Sequence, residues 1–136
     1  MKHFTINELT HTGTGLPNVP NNEQLKNLVA LVDNILDPLR EKFGHPITIS
    51  SAFRSNAVNI KVKGAATSQH LKGQAADLKC SDNAKLFDII RKELPFDQLI
   101  WEAGDDTQPS WVHVSFNAGH NRGEVLKMKN GKYTRL

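Results

Sequence analysis

Six histidines occur in the 136 residues, and two of them stand in settings that could do chemistry. His70 lies in Ser68-Gln69-His70-Leu71-Lys72-Gly73-Gln74-Ala75-Ala76-Asp77, and His113 lies in Trp111-Val112-His113-Val114-Ser115. A catalytic zinc is typically held by three protein ligands drawn from His, Asp and Glu, with a fourth position left for water. His70, Asp77 and His113 satisfy that inventory. Two neutral imidazoles and one carboxylate leave Zn²⁺ with net positive charge, so it can still acidify a water and polarise a carbonyl. The same residues also admit plainer readings, since Asp77 could cap a turn or pair with a lysine. His3, His11, His45 and His120 read as surface histidines, although His120 follows Asn117 and Gly119 closely enough to reach a site's rim.

The elements that would position these residues follow from periodicity. In Trp111 to Phe116, strand alternation puts Trp111, His113 and Ser115 on one face and gives Val112 and Val114 to the core. Ala75 to Leu78 reads as a short strand around Asp77, reached from His70 through a turn at Gly73. Ile47 to Ser51 and Gln98 to Glu102 have strand patterns, and Val125 to Met128, Asn130-Gly131 and Lys132 to Thr134 form a closing hairpin. Leu25, Leu28, Val29, Val32, Ile35, Leu36, Leu39 and Phe43 recur at helical spacing, with Asn21 and Gln24 as a capping pair, Gly44 at the exit and Pro38 either kinking the helix or beginning a new turn. A second helix starts at Ser81 or Asp82 and runs to about Glu93, ended by Pro95. Ala52 to Gln74 lacks a sustained period and reads as a long exposed excursion. Two helices and five or six short strands predict an α+β fold, a small antiparallel sheet with packed helices.

Length and composition bound the rest. The chain suits one domain, residues 1–136, with residues 1–20 as an N-terminal arm and 121–136 as the C-terminal hairpin. Apolar residues at 38% and charged residues at 23% describe an ordinary folded protein. The formal charge of +3 is mild and dispersed, and no element interleaves basic and aromatic residues, so nucleic acid is not an expected partner. Cys80 is the sole cysteine, which excludes an intrachain disulfide and reads as a small buried side chain. No apolar run approaches membrane-spanning length, and the N-terminus lacks a signal-peptide pattern, so membrane insertion is not expected. The expectation is a monomer made in the cytoplasm, reaching any extracellular substrate by lysis or packaging in a particle, as a bacteriophage or prophage product would.

The motif Ser68-x-His70-x-x-Gly73-x-Ala75-x-Asp77, with Trp111-x-His113-x-Ser115 downstream, resembles the M15 family of zinc D-alanyl-D-alanine carboxypeptidases and related cell-wall endopeptidases. Ser50-Ser51-Ala52-Phe53-Arg54-Ser55, Asn59, Gly64 and Phe96-Asp97-Gln98-Leu99-Ile100-Trp101-Glu102 extend the resemblance, in the family's order, over most of Ile47 to Asn117. It implies the hedgehog/DD-peptidase fold, Zn²⁺ as cofactor and peptidoglycan peptides as partners. Carried over by position, it implies His70, Asp77 and His113 as zinc ligands and Glu102 as the catalytic carboxylate. Arg54 would face the scissile carbonyl oxygen or a substrate carboxylate, and Ser68, Trp111 and Ser115 would bind substrate or brace the ligands. Two departures stand out. Trp111 occupies a position where some superfamily members carry a second histidine, and an insertion, Ala103 to Ser110, lengthens the path from Glu102 to His113. The insertion leaves Asp105 and Asp106 as competing bases. Carboxypeptidase, endolysin-like endopeptidase, and a catalytically silent cell-wall-binding module that retains the metal all remain open at this point.

Overall fold

The computed structural model describes residues 1–136. The arm begins with a short helix, α1 (Ile6–Thr10), closed by a capping box between Thr5 and Glu8. Phe4 and Leu9 are buried, and Asp37 accepts from the Lys2 and His3 backbone N–H groups at 2.7 and 3.0 Å. The long amphipathic helix is present in three continuous pieces. α2 (Asn22–Leu31) starts on the expected Asn21/Gln24 box, a π-helical turn spans Val32–Leu36, and α3 (Asp37–Phe43) exits at Gly44 with φ +78°. Pro38 explains the wide turn. It offers no N–H to the preceding turn, and the bonding shifts to the Asp37 N–H reaching Val32 O, so the helix widens where it would otherwise break.

The segment from Ala52 to Gln74 departs from the expected exposed excursion. It contains α4 (Asn56–Lys61) and a 3₁₀ turn (Gln69–Lys72), and it buries Ala52, Phe53, Val58, Asn59 and His70. Both elements are shorter than the window over which hydrophobic period becomes visible, and both are set by hydroxyl caps, Ser55 and Ser68. α5 (Asn83–Glu93) is capped by Asp82.

Six strands form the sheet: β1 (Thr48–Ser51), β2 (Ala75–Lys79), β3 (Gln98–Glu102), β4 (Trp111–Ser115), β5 (Glu124–Lys129) and β6 (Lys132–Arg135). Their order is β1-β2-β4-β3-β5-β6. The sheet is mixed, which corrects the expected antiparallel one: β3 pairs with β5 in parallel, and every other neighbour is antiparallel. The cause is topological. β4 occupies one edge of β3, so the returning chain must take the other edge, running opposite to β4 and therefore along β3. The fold is α+β, and no helix is long and apolar enough to cross a membrane.

Strand alternation divides the sheet's two faces. One face gives Ala76, Leu78, Leu99, Val112 and Val114 to a core shared with Leu28, Leu31, Ile35, Leu36 and Leu39 from the long helix. Burying each Leu, Ile or Val among them contributes about 1.5–3 kcal/mol before the entropy of ordering it. Trp101 belongs to this face, its ring edge-on to Phe87 of α5 at 5.2 Å. The other face is left to a cleft.

Asp97, just before β3, ties that cleft together. It is only 3% exposed, and its carboxylate accepts from Arg122 N (2.8 Å), Nε (3.0 Å) and Nη2 (3.1 Å) and from Gln69 Nε2 (2.9 Å). Its backbone bonds to Ser115 and Glu124, so one residue joins β3, β4, β5 and the 3₁₀ turn. Burial pushes the Asp97 carboxyl up, but the Arg122 and Gln69 hydrogen bonds outweigh it and hold the group below the ordinary carboxylate range. A carboxyl lowered on folding stabilises the protein above its unfolded pKa of about 3.9, and that contribution fades as pH falls through the lower folded value. Asp97→Asn should therefore cost about 1–3 kcal/mol at neutral pH in urea unfolding. The gap to wild type should narrow below about pH 4; a gap constant with pH contradicts the assignment.

Candidate metal centre

Asp77 on β2 and His113 on β4 are register partners, so the sheet itself sets them side by side. His70 reaches them from the 3₁₀ turn. Gly73 closes that turn at φ +74°, where a Cβ would lie 2.5 Å from Gln24 O, so the backbone can lie directly against α2 only with glycine there. Gln24 Nε2 donates to Leu71 O at 3.1 Å and Asn27 Nδ2 to Lys72 O at 2.9 Å, fixing the turn to the helix.

The ring of His70 is aimed by one bond. Its Nδ1 lies 2.6 Å from Ala52 O, and a carbonyl can only accept, so Nδ1 carries the hydrogen. In the neutral ring, Nε2 then presents a lone pair to Asp77 Oδ2 at 3.3 Å. On the other side His113 Nδ1 is 3.1 Å from Asp77 Oδ1. The candidate ligand atoms of the three residues all lie within 4.8 Å of one another. Arg54 Nη2 pairs with Asp77 Oδ2 at 3.3 Å, yet the His70 lone pair faces that same oxygen, an arrangement that a shared proton or metal ion would relieve. The donor set of two imidazole nitrogens and one carboxylate oxygen fits a zinc-type ion. Burial alone would push the Asp77 carboxyl up; the His113 and His70 interactions overcome it and hold the group far below the usual carboxylate range. The carboxylate is thus ionised and ready to ligate.

Around this cluster lies a cavity of about 630 Å³. Arg54 lines it, and its guanidinium donates from Nε to Ser51 Oγ (3.0 Å), from Nη1 to Asn59 Oδ1 (3.4 Å) and from Nη2 to Asp77 Oδ2 (3.3 Å). Gly64 permits this arrangement, because a Cβ there would sit 2.0 Å from Asn59 Oδ1 and 2.9 Å from Arg54 Nη1. Ser68 lines the cavity and caps the 3₁₀ turn by accepting from His70 N at 3.2 Å. Trp111 also lines it. Ser115 lies outside the lining: it is fully buried at the far end of β4, and its hydroxyl accepts from Gln98 N at 3.0 Å.

Glu102 is a cavity residue and is 6% exposed. Burial pushes its carboxyl up, His113 pulls it partly back, and the charge on Asp77 adds to the rise. The insertion does not displace it. Ser110 N donates to Glu102 O at 2.9 Å, so residues 103–110 leave and rejoin the sheet as a loop, with Ala103 and Gly104 at φ +53° and +70° making the turn. Asp105 is spent inside that loop on Thr107 and Gln108, and Asp106 pairs with Lys127; neither lines the cavity. His3, His11, His45 and His120 also stay outside it. Cys80, half-buried at the end of β2, accepts from Asp82 N at 3.2 Å.

A family model described as peptidase M15 matches residues 2–115. The chain belongs to the peptidase M15 family. No curated protein matches it. Within this M15 chain the His70, Asp77 and His113 cluster can coordinate a metal ion. Sequence reasoning missed several cavity residues, notably Arg122, Leu126, Met128 and Tyr133. For the last three the signal was the alternation within the closing hairpin, which marks a face but not what that face looks upon.

The purified protein should carry one metal ion per chain by elemental analysis. His113→Ala should lose it, because removal of one imidazole costs both a ligand and the geometry of the other two. His3→Ala, whose ring meets only Glu41 at the surface, should retain it. Equal retention in both variants contradicts the ligand set.

Proposed function

We propose that the chain is a zinc-dependent peptidase that hydrolyses a peptide bond in bacterial peptidoglycan stem peptides, as a D-Ala-D-Ala carboxypeptidase or an endolysin-like endopeptidase does. The observation that carries this reading is Glu102: a buried carboxylate in the same cavity as the His-Asp-His cluster, acted on by burial and charge with no hydrogen bond holding it. A Zn²⁺ held by His70, Asp77 and His113 would supply a Lewis acid that acidifies water and polarises the scissile carbonyl. Glu102 takes the proton from the attacking water and passes it to the leaving amine. A carboxyl raised by burial is a stronger base than an ordinary one, which suits the first half of that task.

Arg54 steadies the oxyanion. Three of its five N–H groups are engaged by Ser51, Asn59 and Asp77, which fixes the plane of the guanidinium and leaves two donors for substrate. Such preorganised donors stabilise charge that develops only as the bond is attacked. No serine or cysteine nucleophile is required, and Ser68 acts by holding the turn that carries His70.

Glu102→Gln should fold, keep its zinc and lose about 10²- to 10⁴-fold in turnover of purified peptidoglycan, with products read by mass spectrometry. Loss of zinc in that variant would make Glu102 a ligand, and full activity would move the base elsewhere. A wild-type chain that holds zinc and binds cell wall but releases no peptide product would favour the silent binding module. Arg54→Lys should also keep zinc yet turn over poorly, because a lysine offers a mobile point charge in place of a braced fork. Near-normal turnover removes Arg54 from the chemical step.

A further inference from the structure

The family match ends at residue 115, yet Arg122, Leu126, Met128 and Tyr133 line the cavity from beyond it. Strand register explains how three of them arrive. Trp111, Glu102, Met128 and Tyr133 are successive partners across β4, β3, β5 and β6, so they form one continuous row on the cleft face. A second row runs Asp77, His113, Ile100, Leu126. With neighbouring strands about 4.8 Å apart, Tyr133 stands two strands, about 10 Å, from the proposed base. That is the span of about three residues of an extended peptide.

The two sides of the cleft differ in character. Arg54, Lys63, Ser68 and Gln69 make one side polar, whereas Ile100, Leu126, Met128 and Tyr133 put an apolar strip on the β3 and hairpin side, with Gln98 and Arg122 at its end. Tyr133 is 57% exposed, so much of its ring remains to be covered. Burial, and then the charges on Glu102 and Asp77, push its phenol up, so the hydroxyl stays a donor at neutral pH.

We infer that Tyr133, with Met128 beside it on β5, is a substrate-contacting wall: a substrate residue about three positions along from the scissile bond packs its apolar side against them, and the Tyr133 hydroxyl donates to a peptide carbonyl. The inference rests on the peptidase reading above and adds a specificity element from outside the family-matched segment. An aromatic ring with one free donor is well suited to this, offering apolar area at little conformational cost.

Steady-state kinetics on soluble muropeptides from purified peptidoglycan, with zinc content measured in parallel, test it. Tyr133→Phe should raise KM about two- to tenfold, the worth of one hydrogen bond. Tyr133→Ala should raise it by more than about tenfold, as loss of an aromatic anchor does. In both variants zinc should stay at the wild-type level and kcat should change far less than KM. In the Glu102→Gln background, the same substitutions should weaken muropeptide binding measured by calorimetry. Unchanged KM and binding in Tyr133→Ala, with wild type active, overturns the wall and leaves the peptidase reading standing. An effect in Tyr133→Ala alone overturns the hydroxyl's part, and a fall confined to kcat overturns the binding role. A zinc-loaded wild type that cleaves nothing overturns both readings together.

Discussion

One buried carboxylate organises this molecule. Arg54 Nη2 donates to Asp77 Oδ2, and His70 Nε2 and His113 Nδ1 lie against Oδ2 and Oδ1, all at 3.1 to 3.3 Å, with the Asp77 side chain 13% exposed. An ionised group so placed is costly unless positive charge surrounds it, and removal of any one partner leaves the others miscompensated. The requirement reaches outward. β2 and β4 must pair in the register that sets Asp77 against His113, and the 3₁₀ turn must seat on α2 for His70 to arrive. Gly64 must lack a side chain for Arg54 and Asn59 to close beside them.

A second buried aspartate does the mechanical counterpart. Asp97 holds no candidate ligand, yet it joins the 3₁₀ turn through Gln69 to the strands that carry Glu102 and His113. The residue after Gln69 is His70, so the clamp acts within one peptide unit of the metal cluster. Sites that must hold geometry to within about half an ångström depend on such supporting bonds. The apolar face of the sheet supplies the stability, and the cleft face is thereby released to carry polar and charged groups.

How much of this was legible in the sequence depends on how local each signal is. The Asn21/Gln24 box, the Gly44 exit and the bounds of β3 could be read because each is settled by a few adjacent residues. His70, Asp77 and His113 were found because their types are scarce and their flanks distinctive. α4 and the 3₁₀ turn escaped because six and four residues cannot display a helical period. The parallel partnership of β3 and β5, and with it the arrival of Met128 and Tyr133 in the cleft, follows from which strand edge was free. That is a property of the assembled sheet and has no local trace. The insertion after Glu102 was ambiguous for the same reason, until the Ser110 bond closed it as a loop.

The central claim is that the charge on Asp77 is completed by a metal shared with two imidazoles. X-ray absorption at the zinc edge on the purified protein tests it most directly. The account predicts one zinc per chain with two imidazole nitrogens at about 2.0–2.1 Å, carboxylate and water oxygens at about 2.0–2.2 Å, and no sulfur. A sulfur shell, which would bring in Cys80, or a metal ligated by oxygen alone would contradict it.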